Sequence, residues 1–411
     1  MKLEQKRWLI LLAGFLSNLC QGIAYASSIF MAPIISAFDI DKPQAALAFS
    51  LIIACLPIGT IIGGVISSKK GPRIPIVLGS VIFALGLILA SFTIASKNLI
   101  ALYITYGCML GVGSGFAYGS IVGTVTQWFP DKKGLAGGLV VAALGGGPVV
   151  LTPIMMALLN SAGLQMSFLI LGIIFAVVMV GAAFVVVAPP KDFVPEGFVA
   201  KAKATDKKDE TAPAKKTDFA WNEMLKSLDF WVLFLLFFAG TFGGLMIISK
   251  AKPLCEAVLE NLGVAEVGAL AASGVMIIAA CNALGRLFWG AVSDKCGRMP
   301  TLMIMFAVQA ILMAVINMMG VNFVLFLIGL AITGLCFGGY LGMFPALCAD
   351  FFGIKNVTLN FGILFAAFAV SGVFAPIIGA KFDAVTGYHV AAIIAAVGFF
   401  ISMFMLKRAK K

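Results

Sequence analysis

The stretch AASGVMIIAACNALGRLFWGAVSDKCGR, residues 271–298, is an apolar segment that ends in a charged loop. It contains Arg286, whereas the other charged residues of the chain keep to the ends of such segments or to the loops. A charge in the hydrocarbon layer costs at least about 2.5–3.5 kcal/mol and persists where a watery cavity and a partner compensate for it. Because no Asp or Glu is available at that depth, we expect the partner of Arg286 to be an anion that binds and leaves.

The composition is that of a polytopic membrane protein. Hydrophobic residues make up 61% and charged residues 11% of the chain, and the mean hydropathy is +1.08. These values exclude a water-soluble enzyme, and no ATPase motif indicates primary active transport. Since a helix needs about 20 apolar residues to cross a bilayer, the sequence predicts an all-α membrane protein with twelve transmembrane helices. The predicted spans are 8–34, 44–67, 75–95, 99–127, 134–159, 165–188, 229–249, 264–292, 299–319, 322–349, 358–380 and 388–406.

The net charge of +11 is distributed asymmetrically. With both termini inside, 23 of the 29 Lys and Arg residues lie on the inner side and five on the outer side, and Arg286 is the remaining one. This asymmetry predicts a multi-pass protein of the cell (inner) membrane with both termini cytoplasmic. The excess charge therefore indicates topology, and we expect no nucleic-acid partner. The first apolar stretch is too long for a cleaved signal peptide and should be retained as a span.

The eight cysteines form no Cys-x-x-Cys pair, so we expect neither a disulfide nor a metal site, and no cofactor. The lone histidine, His389, lies at the outer start of the last span. An interfacial residue there is the simpler interpretation, and a pH sensor is the alternative.

Two similar halves flank a polar segment. The predicted domains are a six-helix bundle at 1–190, a cytoplasmic linker at 191–226 and a second six-helix bundle at 227–411. The loop after the second span has the pattern Gly64-x-x-x-Ser68-Lys69-x-Gly71-Pro72-Arg73, which recurs after the eighth span as Gly290-x-x-x-Asp294-Lys295-x-Gly297-Arg298. A second repeat matches Tyr118-Gly119 and Trp128-Phe129 of the first half with Leu341-Gly342 and Phe351-Phe352 of the second. Parallel six-helix halves of this kind typically rock around a central site.

The Gly-x-x-x-Asp-Lys-x-Gly-Arg loop resembles the signature of the major facilitator superfamily, which implies the twelve-helix fold in two pseudo-symmetric bundles. The start of the fifth span is similar to the corresponding segment of the monocarboxylate transporter and oxalate/formate antiporter group. Its sequence is Trp128-Phe129-Pro130-Asp131-Lys132-Lys133-Gly134-Leu135-Ala136-Gly137-Gly138-Leu139, and the resemblance covers most of the chain. The loop charges that we expect to act in gating are Asp294, Lys295, Arg298, Lys69 and Arg73. Ser68 stands where the first copy should carry an acid, so an ionic latch should be weaker there.

Arg286 is the first candidate for substrate binding. Its planar fork matches a carboxylate bidentately, and the resemblance implies that the arginine of the eighth span binds substrate; a structural arginine is the alternative. Asn282, one turn earlier on the same face, either donates a hydrogen bond to substrate or serves helix packing. The eukaryotic monocarboxylate carriers tend to carry Asp at this position, and Asn cannot titrate. Tyr118 and Tyr340 should line the cavity from opposite halves, and Tyr25 either lines it or lies at the outer interface.

Two positions depart from the group. Phe368 stands where the oxalate exchanger has a second cation, a lysine, and Ser27 stands where the eukaryotic carriers have a lysine. A single cation facing Phe368, with Ser371 a turn beyond, suits a monocarboxylate that has a small apolar tail. Phe344 and Leu144 could complete the apolar side, or simply pack.

The sequence therefore predicts a secondary transporter of small monocarboxylates of the lactate, pyruvate or formate type, with the lipid bilayer, the carboxylate and protons as partners and the chain as a monomer. Proton-coupled symport is the first expectation and obligatory carboxylate exchange the alternative. An anion channel would need a continuous pore, and a receptor would need a signalling domain.

Overall fold

The computed structural model describes residues 3–190, 193, 218–265, 267–353 and 356–409, and within them all regular secondary structure is helical. Eleven helical stretches are long and apolar enough to cross a membrane, and one of these, Leu135–Val185, has 51 residues. A straight helix of that length would measure about 76 Å, more than twice the roughly 30 Å of a hydrocarbon core. The chain turns at Gly163, where φ is +74°. The stretch therefore contains two spans, and the twelve-helix fold is confirmed.

The first six spans lie between Leu3 and Val185. In chain order their helices are Leu3–Gln21, the 3-10 turn Gly22–Ala26, Ser28–Phe38, Lys42–Lys70, Arg73–Ala95, Leu99–Leu102, the π-helical turn Tyr103–Met109, Leu110–Trp128, Lys133–Phe175, the π-helical turn Ala176–Val180, and Gly181–Val185.

The short helix Trp221–Lys226 precedes the second six spans, which begin at Leu228. In chain order their helices are Leu228–Ile248, the outer Ala251–Asn261, Gly268–Cys296, Arg298–Val315, the 3-10 turn Met318–Val321, Phe323–Phe352, Val357–Leu364, Ala366–Lys381 and Ala384–Ala409. The eleventh span is thus irregular at Phe365 but continues through it from Leu359 to Lys381. Most of the predicted linker, 191–192 and 194–217, lies outside the described residues, so the domain boundaries stay a prediction.

Equivalent helices pack in the same way in both halves. The second and fourth spans touch through glycines, since a Cβ on Gly115 would collide with the carbonyl oxygen of Leu56. The eighth and tenth spans repeat this contact, since a Cβ on Gly338 would collide with the carbonyl oxygen of Asn282. Small residues let membrane helices approach to backbone contact. The eighth span, which carries Asn282, is therefore fixed closely against the tenth.

The two halves meet along two pairs of helices. The fifth span packs against the eighth, and the second packs against the eleventh. Ser50 donates a hydrogen bond of 3.5 Å to the carbonyl oxygen of Val373 across the second pair. Between the two pairs of helices lies the central cavity. We call the side of the bundle at which the first helix begins, near Leu3, the inner face.

Candidate functional site

Arg286 lies at the contact between the fifth and eighth spans and is only 6% exposed. Its Nη1 donates to the carbonyl oxygen of Val141 in the other half at 2.8 Å, and its Nε donates to Oδ1 of Asn282 at 3.3 Å. Its buried Nη2 has no hydrogen-bond partner among the residues described. Arg286 also forms no ion pair with Asp or Glu in that part of the chain. The guanidinium charge is thus hydrogen-bonded without being neutralised.

Local sequence explains this geometry. Asn282 and Arg286 are four residues apart on one helix, which brings their side chains together. Across the interface, an ideal Cβ on Gly145 would lie 3.1 Å from both Nε and Nη2 of Arg286. Glycine at this position therefore lets the guanidinium group lie close to the fifth span.

A small cavity opens beside the guanidinium group. Within it, about 30 Å³ can hold the centres of water molecules, against the roughly 10–15 Å³ that one buried water needs. The hydroxyl groups of Tyr25 and Tyr118 interact electrostatically with Arg286, which makes one end polar. Its lining residues come from both halves and are Tyr25, Leu56, Tyr118, Leu144, Arg286, Leu341, Pro345, Phe361 and Phe365. The cavity can hold a small anion whose tail meets apolar and aromatic walls.

Four of the residues predicted for substrate binding, Arg286, Tyr25, Tyr118 and Leu144, line this cavity. Asn282 contacts Arg286 behind the wall. Phe368 lies one layer behind Phe365, with the two rings stacked 4.9 Å apart.

The other predicted residues lie away from the cavity wall in this conformation. Phe344 stacks on Phe237 at 4.1 Å, and the ring of Tyr340 lies 5.1 Å from that of Phe306. Ser27 and Ser371 are buried, and their hydroxyl groups have no partner among the described residues. Binding roles for these residues stay predictions.

Sequence reasoning missed five wall residues: Leu56, Leu341, Pro345, Phe361 and Phe365. A signal for two of them was present, because Phe361, Phe365 and Phe368 follow at i, i+4 and i+7 and would share one face of an unbroken helix. In the structure the first two lie on the wall, and the third packs behind Phe365. Nothing in the sequence, such as a proline, indicates the local irregularity at Phe365.

The loop charges of the second half form a network at the inner face. Arg298 pairs with Asp294 at 2.8 Å and reaches Asp350, at the end of the tenth span, at 3.4 Å; it also donates to the hydroxyl group of Ser293. Lys295 is exposed. This network links the eighth, ninth and tenth spans.

The first half lacks such a network in its described part. Arg73 lies over the ring of Phe184 at 4.9 Å, and Lys69 is exposed. The ion pairs described in this half instead join Arg7 to Glu4 on the same helix at 2.8 Å and to Asp131 at 3.0 Å, and the second pair connects the first helix to the loop between the fourth and fifth spans.

At the outer face, Lys250 follows the seventh span and is partly buried. Its Nζ donates to the carbonyl oxygen of Gly379 at 2.7 Å and lies 6.0 Å from the ring centre of Tyr388. Burial, with a further contribution from the nearby charge of Lys42, lowers the pKa of Lys250 to about 8.

Comparison with known proteins identifies the family. Residues 12–281 and 253–411 match the model of the Major Facilitator Superfamily. The chain is 30% identical over 400 residues to the oxalate:formate antiporter of Oxalobacter formigenes, covering 96% of this chain and 90% of that protein. The chain therefore belongs to the major facilitator superfamily and is a membrane transporter.

Two further similarities agree with this. Monocarboxylate transporter 12 of Homo sapiens is 29% identical over 170 residues, which cover 40% of this chain and 32% of that protein. The crystal structure of a D-xylose-proton symporter superposes with a TM-score of 0.71 over 97% of both chains at 17% identity, which bears on the fold alone. The resemblance noted in the sequence, to the superfamily and to its carboxylate-transporting group, is thus confirmed.

Proposed function

We propose that this protein is a secondary transporter of small monocarboxylates, of the lactate, pyruvate or formate type, that works by alternating access with Arg286 as the carboxylate ligand. The observation that carries the proposal is the buried guanidinium group at the cavity, which has a free Nη2 and no acidic partner in the described chain. A carboxylate supplies both the missing charge and the missing acceptor.

The lining of the cavity favours a substrate with one carboxylate over a substrate with two. Arg286 is the single cation among the described residues that line the cavity, and the eleventh span contributes the aromatic rings of Phe361 and Phe365 to its lining. Burial of an unpaired second carboxylate against aromatic rings is unfavourable. A short apolar tail, by contrast, is compatible with these walls.

Moving one bare anion across 100 mV changes its free energy by about 2.3 kcal/mol. Uptake against an inside-negative potential thus needs a proton or a counter-anion. We propose proton-coupled symport through an inner-membrane monomer with cytoplasmic termini. The second candidate is obligatory exchange, which the similarity to an oxalate:formate antiporter favours.

A competition panel of formate, acetate, lactate, pyruvate and oxalate on purified protein in proteoliposomes tests the substrate, with Arg286→Lys as the matched charge-retaining variant. We expect the monocarboxylates to compete and Arg286→Lys to lose most of its affinity. Full activity in that variant, or oxalate as the strongest competitor, would contradict the proposal. Counterflow without a pH gradient separates the coupling modes, because an exchanger keeps full trans-stimulation and carries no net proton flux.

A further inference from the structure

The three residues Asp218–Ala220, which we call the strap, lie against the inner ends of the tenth and eleventh spans. The N–H group of Phe219 donates to the carbonyl oxygen of Phe352 at 3.0 Å. The carbonyl oxygen of Phe219 accepts from Nδ2 of Asn356 at 2.9 Å and from Nδ2 of Asn360 at 3.1 Å. Three hydrogen bonds thus converge on one residue of the strap.

The strap also packs against the spans at backbone distance. Gly353, with φ of +82°, ends the tenth span, and a Cβ there would collide with Asp218. The ring of Phe219 meets that of Phe352 nearly at right angles, 5.8 Å apart. Beyond the strap, the Glu223 carboxylate accepts from the N–H group of Ala220 at 2.7 Å, which caps the short helix Trp221–Lys226. The contact is therefore built from several independent interactions.

Asn360 connects the strap to the cavity. It is fully buried in the half-helix Val357–Leu364, and the next residue, Phe361, lines the cavity together with Phe365. The span is irregular at Phe365, but the N–H group of Phe365 still donates to the carbonyl oxygen of Phe361 at 2.7 Å, and that of Ala369 to the carbonyl oxygen of Phe365 at 3.3 Å, across the junction with Ala366–Lys381. Contacts at the inner end of Val357–Leu364 therefore add to what the helix itself does to fix the direction of this inner half.

We propose that the strap fixes the inner half of the eleventh span and that Asn360 is a positioning residue, which holds Phe361 and Phe365 on the wall of the substrate cavity. The inference rests on the proposed function, because the position of the wall affects affinity only if a substrate binds in the cavity. The strap is the end of the segment that joins the two halves, and the inference gives it a role in substrate affinity.

The first test compares Asn360→Leu with Asn356→Ala. Both variants remove one donor to the carbonyl oxygen of Phe219, but only the first frees the residue beside Phe361. We expect Asn360→Leu to raise KM about two- to tenfold, the factor of one hydrogen bond between neutral groups, with little change in the maximal rate. Asn356→Ala should leave KM unchanged. Because Oδ1 of Asn360 is buried without a partner in the described chain, removing that oxygen offsets the lost bond, so the unfolding temperature should hardly move.

A second pair displaces the strap without touching Asn360. Gly353→Ala pushes Asp218 away, whereas Gly163→Ala imposes a similar backbone strain, at φ of +74°, where a Cβ meets nothing within 4 Å. We expect a raised KM in Gly353→Ala alone. Unchanged KM in both Asn360→Leu and Gly353→Ala would overturn the proposed role of the strap. Equal KM changes in Asn360→Leu and Asn356→Ala would overturn the positioning role of Asn360. If Arg286→Lys transports normally in the same assay, the proposed function itself fails.

Discussion

A methyl group at position 145 tests how closely the guanidinium group must approach the fifth span. In Gly145→Ala the new Cβ would lie 3.1 Å from Nε and Nη2 of Arg286 and 3.1 Å from Cγ of Asn282. Ordinary contacts between such atoms begin at about 3.5 Å. The guanidinium group must therefore move by a few tenths of an ångström, or the methyl group occupies the free edge at which a carboxylate would bind.

The expected size of the change in KM follows from the hydrogen bonds of Arg286. The bond from Nη1 to Val141 measures 2.8 Å, and a hydrogen bond from a charged donor contributes about 1.5–3 kcal/mol. Complete loss of one such bond, to the protein or to the substrate, is worth about 10- to 150-fold in affinity. Because a shift weakens the bond rather than removing it, we expect KM for a monocarboxylate to rise about tenfold, at the lower end of that range.

Gly146→Ala is the matched control. It adds the same methyl group one residue along, where its Cβ would meet the Cβ of Ala283 at 3.3 Å, and both variants gain the same roughly 0.5–1 kcal/mol of helix propensity. Uptake of a labelled monocarboxylate into proteoliposomes gives KM, and thermal unfolding in detergent reports stability. Equal KM values in the two variants would refute the reasoning.

Three further outcomes are expected. Tyr118→Phe should raise KM about threefold to tenfold without lowering the unfolding temperature, because it removes a hydroxyl group that interacts with Arg286; unchanged KM would remove Tyr118 from the site. Gly338→Ala should destabilise the protein by about 1–3 kcal/mol by overpacking the seam between the eighth and tenth spans, while Gly290→Ala, which meets nothing within 4 Å, should not; equal unfolding temperatures would contradict this. The fold lowers the pKa of Lys250 from the usual 10.5 to about 8, so between these values the unfolded chain binds more protons and stability rises with pH. The difference in unfolding temperature between the native protein and Lys250→Met should therefore shift in favour of the native protein from pH 8 to pH 10, and a difference that does not change with pH would contradict this.

The sequence predicted the spans well because their lengths are set by the bilayer and not by side-chain detail. The boundary between the fifth and sixth spans is an example, since the polar pair Asn160-Ser161 and Gly163 interrupt the apolar pattern where the structure turns. Arg286, Tyr25 and Tyr118 were identifiable because a charge or a hydroxyl group in an apolar segment needs a partner. Their position at the cavity could therefore be predicted from the chemistry of each side chain alone.

The wall could not be predicted to the same extent, because local changes of helix type rotate the faces of the spans. In the first span the 3-10 turn Gly22–Ala26 advances by 120° per residue in place of 100°. Over five residues this shifts the following face by about 100°. The residues of Ser28–Phe38 are consequently turned relative to an unbroken helix. Ser27, two residues from Tyr25, points to a different side from Tyr25 in either helix type, at about 200° in an α-helix and about 240° in a 3-10 helix.

The contacts of Arg286 give one guanidinium group two tasks. It belongs to the eighth span, bonds to the backbone of the fifth, and interacts with tyrosines of the first and fourth, so it joins one half of the transporter to three helices of the other. A carboxylate that binds at its free Nη2 screens the charge and competes for the same planar set of donors. Binding and the contact between the halves are then coupled, because neither can change without altering the hydrogen bonds available to the other. On the proposed function, this coupling is the physical link between an occupied site and the movement of the halves.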